Sequence, residues 1–222
     1  MVREQNWIPS TPIINNVSSR YEKMLSEEAI EKAGPYLREE QTILENYLAE
    51  NICLRSMNCC VVGGGSFHYL LQALSFAKTY TLVEPFLNLY VSDETLMKIK
   101  KSEKIKYFDI DFETFCRKSN NCCSESTLYI FWFNVILYIN NPIEMINKII
   151  KKGDIIFVSG WMNTLFSHNI LVDYFNYVNC GFNESSIPHL PTLENLSFEN
   201  IKHAKDINTF QGNFADIRII NT

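Results

Sequence analysis

The sequence predicts an α/β fold, namely a doubly wound, mostly parallel seven-stranded sheet with helices on both faces and an N-terminal helical cap. Short apolar runs alternate with stretches of helical periodicity between residues 58 and 158. Such alternation indicates βαβ units, whose right-handed crossovers place helices on both faces of a parallel sheet. The predicted strands cover residues 58–62, 79–83, 105–108, 127–131 and 154–158. The predicted helices cover residues 67–77, 87–98, 112–118 and 142–151.

Residues 1–55 precede this alternation and form the predicted helical cap, which packs on an α/β domain of residues 56–222. A helix is predicted to begin near Ser26 and to end at the Gly34-Pro35 pair, since both residues disfavour helix interiors. Apolar residues then recur at helical spacing up to Ile52, which predicts a second helix.

The C-terminal part of the chain departs from the alternation. A helix is predicted over residues 164–178, and strands are predicted over residues 181–187 and 213–220. The connection between these strands, residues 188–212, is long and polar and contains prolines. A connection of this length is typical of a lid, a binding loop or a disordered segment.

The bulk composition limits the classes of partner and the compartment. The net charge of −5 argues against a general nucleic-acid binder, which would be basic. Seven cysteines, an odd number, and a polar N-terminus without an apolar leader indicate free thiols in a reducing compartment. The longest apolar stretch has 13 residues, Thr127 to Ile139, whereas a membrane-spanning helix needs about 20. We therefore expect a cytoplasmic protein without membrane contact.

A glycine turn follows the first predicted strand and is the first candidate ligand site. It consists of Gly63, Gly64, Gly65 and Ser66, directly ahead of a predicted helix. Glycine lets the backbone turn tightly and approach a ligand, and a helix N-terminus attracts negative charge. Ligands of open α/β sheets bind at this end of the strands. The alternative is a tight turn with no ligand.

Glu84 ends the second predicted strand and is followed by Pro85. A carboxylate at this position accepts hydrogen bonds from the ribose hydroxyls of a nucleotide-like ligand. Pro85 would stiffen the turn behind it. The alternative is a solvated loop glutamate.

Asp111 and Phe112 follow the third predicted strand. The Asp111 carboxylate is suited to accept a hydrogen bond from the exocyclic amine of a purine, and the Phe112 ring is suited to pack on the base. A helix N-cap explains Asp111 equally well, because aspartate is favoured there.

The order of these segments resembles a class I S-adenosylmethionine-dependent methyltransferase, over roughly residues 57–160. The quoted segments are CCVVGGGSFHYL, TLVEP, YFDIDFETF, LYIFWFNVILYI and IIKKGDIIFVSGW. The tail is similar to the closing antiparallel hairpin of that family. The resemblance implies S-adenosylmethionine as cofactor and S-adenosylhomocysteine as product. It assigns the methionine end to Gly63, Gly64, Gly65 and Ser66, the ribose to Glu84 and Pro85, and the adenine to Asp111 and Phe112.

The residues after the fourth predicted strand are candidates for cofactor binding and for contact with the acceptor. Phe133 and Asn134 lie there, and Asn134 is the polar residue of an apolar run. His68, close to the glycine turn, and Tyr21, in the N-terminal segment, are the other catalytic candidates. The alternatives are a helix cap for Asn134 and simple packing for His68. In-line methyl transfer draws much of its rate from proximity, so no acid-base pair is required.

We therefore expect a methyltransferase that acts on a small-molecule metabolite in a pocket enclosed by the N-terminal helices and the tail loop, with a homodimer as a further option. No metal-ligand motif is present. Two other functions stay open. A catalytically silent binding module is favoured by Val61, where the family usually has an acidic residue, and by Phe67, where it usually keeps its last glycine. An aminopropyl-type transferase is favoured by the triple glycine. An NAD fingerprint is disfavoured because His68 takes the place of its third glycine.

Overall fold

The chain is built around a seven-stranded sheet in the computed structural model, which describes residues 27–51, 57–63, 77–85, 93–118, 125–133, 135–177 and 192–222. The strands are β1 (Asn58–Val62), β2 (Tyr80–Val83), β3 (Ile105–Phe108), β4 (Thr127–Phe131), β5 (Ile155–Trp161), β6 (Asp206–Gln211) and β7 (Ala215–Asn221). Their order in the sheet is β3-β2-β1-β4-β5-β7-β6. Strands β1 to β5 pair in parallel, and β7 runs antiparallel to β5 and β6. The predicted doubly wound, mostly parallel sheet is confirmed.

Five α-helices lie among the described residues, and they are numbered here in chain order. They are α1 (Glu27–Glu50), α2 (Asp93–Lys101), α3 (Phe112–Lys118), α4 (Pro142–Ile149) and α5 (Leu165–Tyr177). Short 3-10 helices cover Val135–Tyr138, Leu193–Asn195 and Phe198–Asn200. Within the described ranges, no helix has the length and apolar character that crossing a membrane requires.

Two apolar clusters cover the two faces of the sheet. Alternate residues of β1 enter different clusters, because successive side chains of a strand point to opposite faces. Cys59 and Val61 join the cluster beneath α1, α2 and α5, whereas Cys60 and Val62 join the cluster beneath α3 and α4. Helices therefore pack on both faces, as the right-handed crossovers predict.

The predicted break at Gly34 and Pro35 is wrong, because α1 continues through both residues. A proline inside a helix costs about 3 kcal/mol. Burial on the sheet outweighs this cost, since one face of α1 is packed into the apolar cluster along its length. The buried apolar side chains of that face are Ala29, Ala33, Tyr36, Leu44 and Leu48.

The loop predicted over residues 188–212 is also wrong in part. Strand β6 (Asp206–Gln211) lies inside the segment predicted as a loop, and a tight connection joins it to β7. Every residue of β6 is exposed, so the strand has no apolar alternation that would indicate it in the sequence. Earlier in the same segment, Leu193 and Phe198 are buried in the cluster beneath α3 and α4. The described part of this segment therefore contributes to the core.

Several predictions fall outside the described residues. They concern the segment 1–26, the helix predicted over residues 67–77 and the strand predicted over residues 181–187. The boundary between a cap of residues 1–55 and a domain of residues 56–222 stays a prediction.

Candidate functional site

The carboxyl ends of the parallel strands form one continuous edge, and most of the predicted site residues follow it. The register aligns Val62 with both Val83 and Phe131, and Val83 with Phe108. Neighbouring strands of a sheet are about 4.8 Å apart. Gly63 and Glu84 are therefore adjacent positions at this edge, since each directly follows an aligned residue.

Gly63 occupies a position that only glycine fits. Its φ is +70°, a value that side chains disfavour, and its N–H donates to the Val83 carbonyl at 3.0 Å. A Cβ at this position would lie 2.1 Å from Cγ2 of Val135. The missing side chain thus makes room for Val135, which opens the 3-10 helix after β4. Gly64, Gly65, Ser66 and His68 lie outside the described residues.

Glu84 is held at the edge by its main chain. Its N–H donates to the Phe108 carbonyl at 3.1 Å, and its carbonyl accepts from the Tyr107 hydroxyl at 3.2 Å. The residue is 5% exposed, so it is not the solvated loop glutamate of the alternative. Pro85 follows and is half-buried. The ribose contacts of Glu84 and Pro85 stay predictions.

Asp111 is the N-cap of α3. Its carboxylate accepts from the Thr114 N–H at 2.6 Å and from the Thr114 hydroxyl at 3.0 Å. Burial acts to raise the pKa of Asp111, but the hydrogen bonds from Thr114 outweigh it and hold the pKa below its usual value. Asp111 is exposed, and a carboxylate oxygen can accept more than one hydrogen bond. Asp111 can therefore cap α3 and bind a ligand at the same time.

Phe112 faces the core. The residue is 4% exposed, and its ring meets the Phe131 ring edge-on at a centroid distance of 5.1 Å. Its adenine contact stays a prediction. Phe108 and Phe115 form an edge-on ring pair in this region at 5.2 Å, and Phe108 is the more exposed aromatic there.

Phe133 follows β4 at the same edge of the sheet, next to β5, and its backbone is strained. Its φ is +48°, which is rare for a bulky residue. Its ring packs edge-on against Tyr36 at 5.4 Å, Trp161 at 5.8 Å and Tyr174 at 5.7 Å. These contacts bring together α1, β5 and α5 around one ring. Asn134 and Tyr21 are outside the described residues.

Glu40 of α1 is the residue at this half that the sequence analysis missed. It is 0% exposed, its Oε1 accepts the Phe133 N–H at 2.9 Å, and the Ser159 hydroxyl donates to the same oxygen. Burial raises the pKa of Glu40 to about 8, although the hydrogen bonds from Ser159 and Phe133 act to lower it. One sequence signal was available, because Glu40 interrupts an apolar stripe that has a period of four: Tyr36, Leu44 and Leu48.

The edge therefore has two halves with different chemistry. The β1–β3 half carries Gly63, Glu84 and Asp111, which suit a ligand with hydroxyl and amine donors. The β4–β5 half carries Phe133 and the buried carboxyl of Glu40. Across the described ranges, no three His, Cys, Asp or Glu residues are grouped to hold a metal ion.

No known protein family and no curated protein matches the sequence. A putative S-adenosylmethionine-dependent methyltransferase from Methanococcus maripaludis is similar in structure, with 11% identity over 93% of each chain and a TM-score of 0.55. The N-methyltransferase NodS from Bradyrhizobium japonicum, solved with S-adenosylhomocysteine, is 12% identical over 92% of this chain and 97% of its own, with a TM-score of 0.54. An O-methyltransferase family protein from Burkholderia thailandensis has 10% identity, coverage of 85% and 55%, and a TM-score of 0.51.

The chain has the class I S-adenosylmethionine-dependent methyltransferase fold. The strand order, the single reversed strand β7 and the three similar structures agree on this point. The predicted resemblance is thus confirmed for the fold. At 10 to 12% identity the similarity concerns the fold alone.

Proposed function

We propose that the protein is an S-adenosylmethionine-dependent methyltransferase that acts on a small-molecule metabolite. The observation that carries the proposal is Glu84, a buried carboxyl residue beside Gly63 at the carboxyl edge of this strand order. In this fold a carboxylate at the end of the second strand is placed to accept from the two ribose hydroxyls. S-adenosylhomocysteine would be the product that leaves the same site.

The residues at the β1–β3 half would bind and orient the cofactor. Glu84 would accept the ribose hydroxyls, and Asp111 would accept the exocyclic amine while it keeps its cap on α3. Gly64, Gly65 and Ser66 would line the methionine end, with Pro85 and Phe112 behind the ribose and the base. When bound, S-adenosylmethionine supplies an electrophilic methyl group on a sulfonium.

The residues at the β4–β5 half would orient the acceptor. These residues would hold the acceptor so that its lone pair faces the methyl group that the bound cofactor would supply. Asn134 would hold the acceptor by hydrogen bonding, and His68 and Tyr21 are the further candidates for contact with it. The rings of Phe133 and Trp161 would exclude water, and orientation would supply much of the rate.

The small-molecule assignment is supported by the position of α1. Tyr36 and Glu40 of this helix contact Phe133 and Ser159 directly, so α1 covers part of the edge where an acceptor would enter. A covered entrance suits a metabolite better than a folded macromolecule. The net charge of −5 also disfavours a nucleic-acid substrate.

A silent binding module is the second candidate, and one observation favours it. Val61, where the family usually has an acidic residue, is 1% exposed and packed in the apolar cluster beneath α1. The side chain that usually holds the methionine amino group is therefore absent from that position. Binding without turnover would favour this candidate.

The test is calorimetric titration of the purified protein with S-adenosylmethionine and S-adenosylhomocysteine, with NAD as a control ligand. Micromolar binding of the first two ligands and none of NAD is the expected result. Glu84→Ala should weaken binding by about 1.5 to 3 kcal/mol, because a charge-assisted hydrogen-bond acceptor is lost. The matched control is Glu103→Ala, which removes an exposed carboxylate ahead of β3 and should leave the affinity unchanged.

Two outcomes would count against the proposal. No binding of either sulfur ligand would refute the cofactor, and unchanged affinity in folded Glu84→Ala would refute the ribose assignment. Incubation with candidate metabolites and mass spectrometry then identifies the transferred group. Addition of a methyl group is expected, whereas a larger aminopropyl cation would mark the aminopropyl-type alternative.

A further inference from the structure

The carboxyl of Glu40 joins three elements that are far apart in the sequence. Glu40 lies on α1. Its carboxyl accepts hydrogen bonds from the Phe133 N–H, which follows β4, and from the Ser159 hydroxyl in β5. Ser159 also approaches the Phe131 carbonyl at 3.4 Å. Glu40 is fully buried, and the Phe133 N–H and the Ser159 hydroxyl are the donors from which its Oε1 accepts.

The Phe133 peptide needs such a restraint. A left-handed conformation at a non-glycine residue is unfavourable and persists only where the surroundings determine it. The surroundings here are the Glu40 carboxyl on the N–H and the rings of Tyr36, Trp161 and Tyr174 on the side chain. The hydrogen bond is directional, so it fixes the peptide plane in a way that ring packing does not.

Val135 lies between this peptide and Gly63. Two residues after Phe133, Val135 donates its N–H to the Trp132 carbonyl at 3.1 Å and opens the 3-10 helix. Its side chain fills the space that Gly63 leaves. A change in the Phe133 peptide would therefore move Val135, and Val135 cannot move toward Gly63 without a clash.

We infer that Glu40 is a positioning residue that fixes the Phe133 peptide and thereby seats Val135 against Gly63. The effect on cofactor affinity rests on the function proposed above. The effect on the peptide does not rest on it, and it is measurable without any ligand.

The test uses hydrogen–deuterium exchange of the segment 131–138 together with the affinity for S-adenosylhomocysteine. Glu40→Met keeps the length of the side chain and removes both acceptor oxygens. We expect faster exchange in this segment, unchanged exchange in β2 and β3, and affinity lower by about tenfold, the equivalent of about 1.4 kcal/mol. Glu40→Gln keeps one acceptor oxygen and should restore both readouts to within about twofold of the original protein. A merely structural role would change exchange throughout the sheet and would not distinguish these two variants.

The matched control is Glu45→Met on the same helix, where an exposed carboxylate is bonded to Gln41. It should change neither readout. If Glu40→Met does not fold, as judged by circular dichroism, Ser159→Ala replaces it, because this variant removes the donor that orients Glu40. It should accelerate exchange in the same segment by a smaller factor.

Exchange of the segment 131–138 that is unchanged in the folded variants would overturn the inference. Faster local exchange with unchanged affinity would overturn the link to the glycine turn. If the original protein binds no S-adenosylhomocysteine, the proposed function fails, and the exchange measurement alone then decides whether Glu40 positions the peptide.

Discussion

The two halves of the carboxyl edge differ in the sequence separation between their polar side chains and the groups to which these are hydrogen-bonded. In the β1–β3 half, Asp111 is bonded to Thr114, three residues away. In the β4–β5 half, Glu40 is bonded to groups 93 and 119 residues away. The first half is thus built by short-range signals, and the second exists only once distant elements have packed. A ligand that lies across both halves would have its geometry set partly by the second half, even if all of its hydrogen bonds are made to the first.

The junction between the halves, Gly63 against Val135, is expected to give the largest effect. Gly63→Ala adds a Cβ where φ is +70° and where Cγ2 of Val135 would be 2.1 Å away. We expect a loss of about 2 to 5 kcal/mol in the free energy of unfolding, from backbone strain and overpacking together. Urea denaturation monitored by circular dichroism measures this loss.

The double variant that combines Gly63→Ala with Val135→Ala tests whether the two halves are coupled at this junction. Removal of the Val135 methyl groups should relieve part of the clash, so the two losses should not add. Strict additivity would show that the halves are not coupled at this junction.

The buried carboxyl of the β4–β5 half should make stability depend on pH. The folded pKa of Glu40 is raised from 4.5 to about 8, so its stabilising contribution is complete below about 4.5 and is lost as the pH rises to about 8. Glu40→Gln has no such loss. The free energy of unfolding of this variant should therefore rise relative to the original protein as the pH rises through that window.

Chemical denaturation at several pH values between 4.5 and 8.5 measures this difference. The other titratable groups in this region are Tyr36 on α1, which interacts with Glu40, and Asp216 on β7, which interacts with Tyr36. Both groups are present in both proteins, so their effects on the difference in unfolding free energy largely cancel. A difference that does not vary with pH would show that Glu40 does not titrate in this window.

The β1–β3 half should give the smallest effect. Asp111→Ala removes the cap of α3 and should cost about 1 kcal/mol, whereas Asp111→Asn should cost almost nothing, because asparagine is an equally good cap. Thermal unfolding compares the two variants. Equal losses in both would mean that the charge of Asp111, and not its cap, stabilises α3.

The sequence predicts the first half well for a physical reason. Gly63 and Glu84 directly follow strands whose apolar runs are visible in the sequence, and Asp111 comes three residues after the end of such a strand, so their place at the edge follows from topology. The side-chain contacts do not follow from it. Phe112 faces the core, and the space at Gly63 is taken by Val135, because both arrangements depend on packing against β4 and its 3-10 helix.

The second half was not predictable to the same extent. Glu40 stands in the segment LREEQ, which has the composition of an exposed helix surface. Its burial depends on β5, and the helix that carries it runs through Gly34 and Pro35, where local propensity predicts an end. Strand β6 was missed because an edge strand with exposed faces needs no apolar pattern. In each of these cases tertiary packing outweighs the local signal.

The position of α1 also has a consequence for the order in which the protein folds. Glu39, next to Glu40, accepts the main-chain N–H groups of Asn213, Phe214 and Ala215, up to 176 residues away. The ribosome therefore releases α1 long before its partners exist, and closure over such separations is slow. We expect α1 to dock last on a nascent sheet, and the apolar surface it will cover to stay open to chaperones until β7 has emerged.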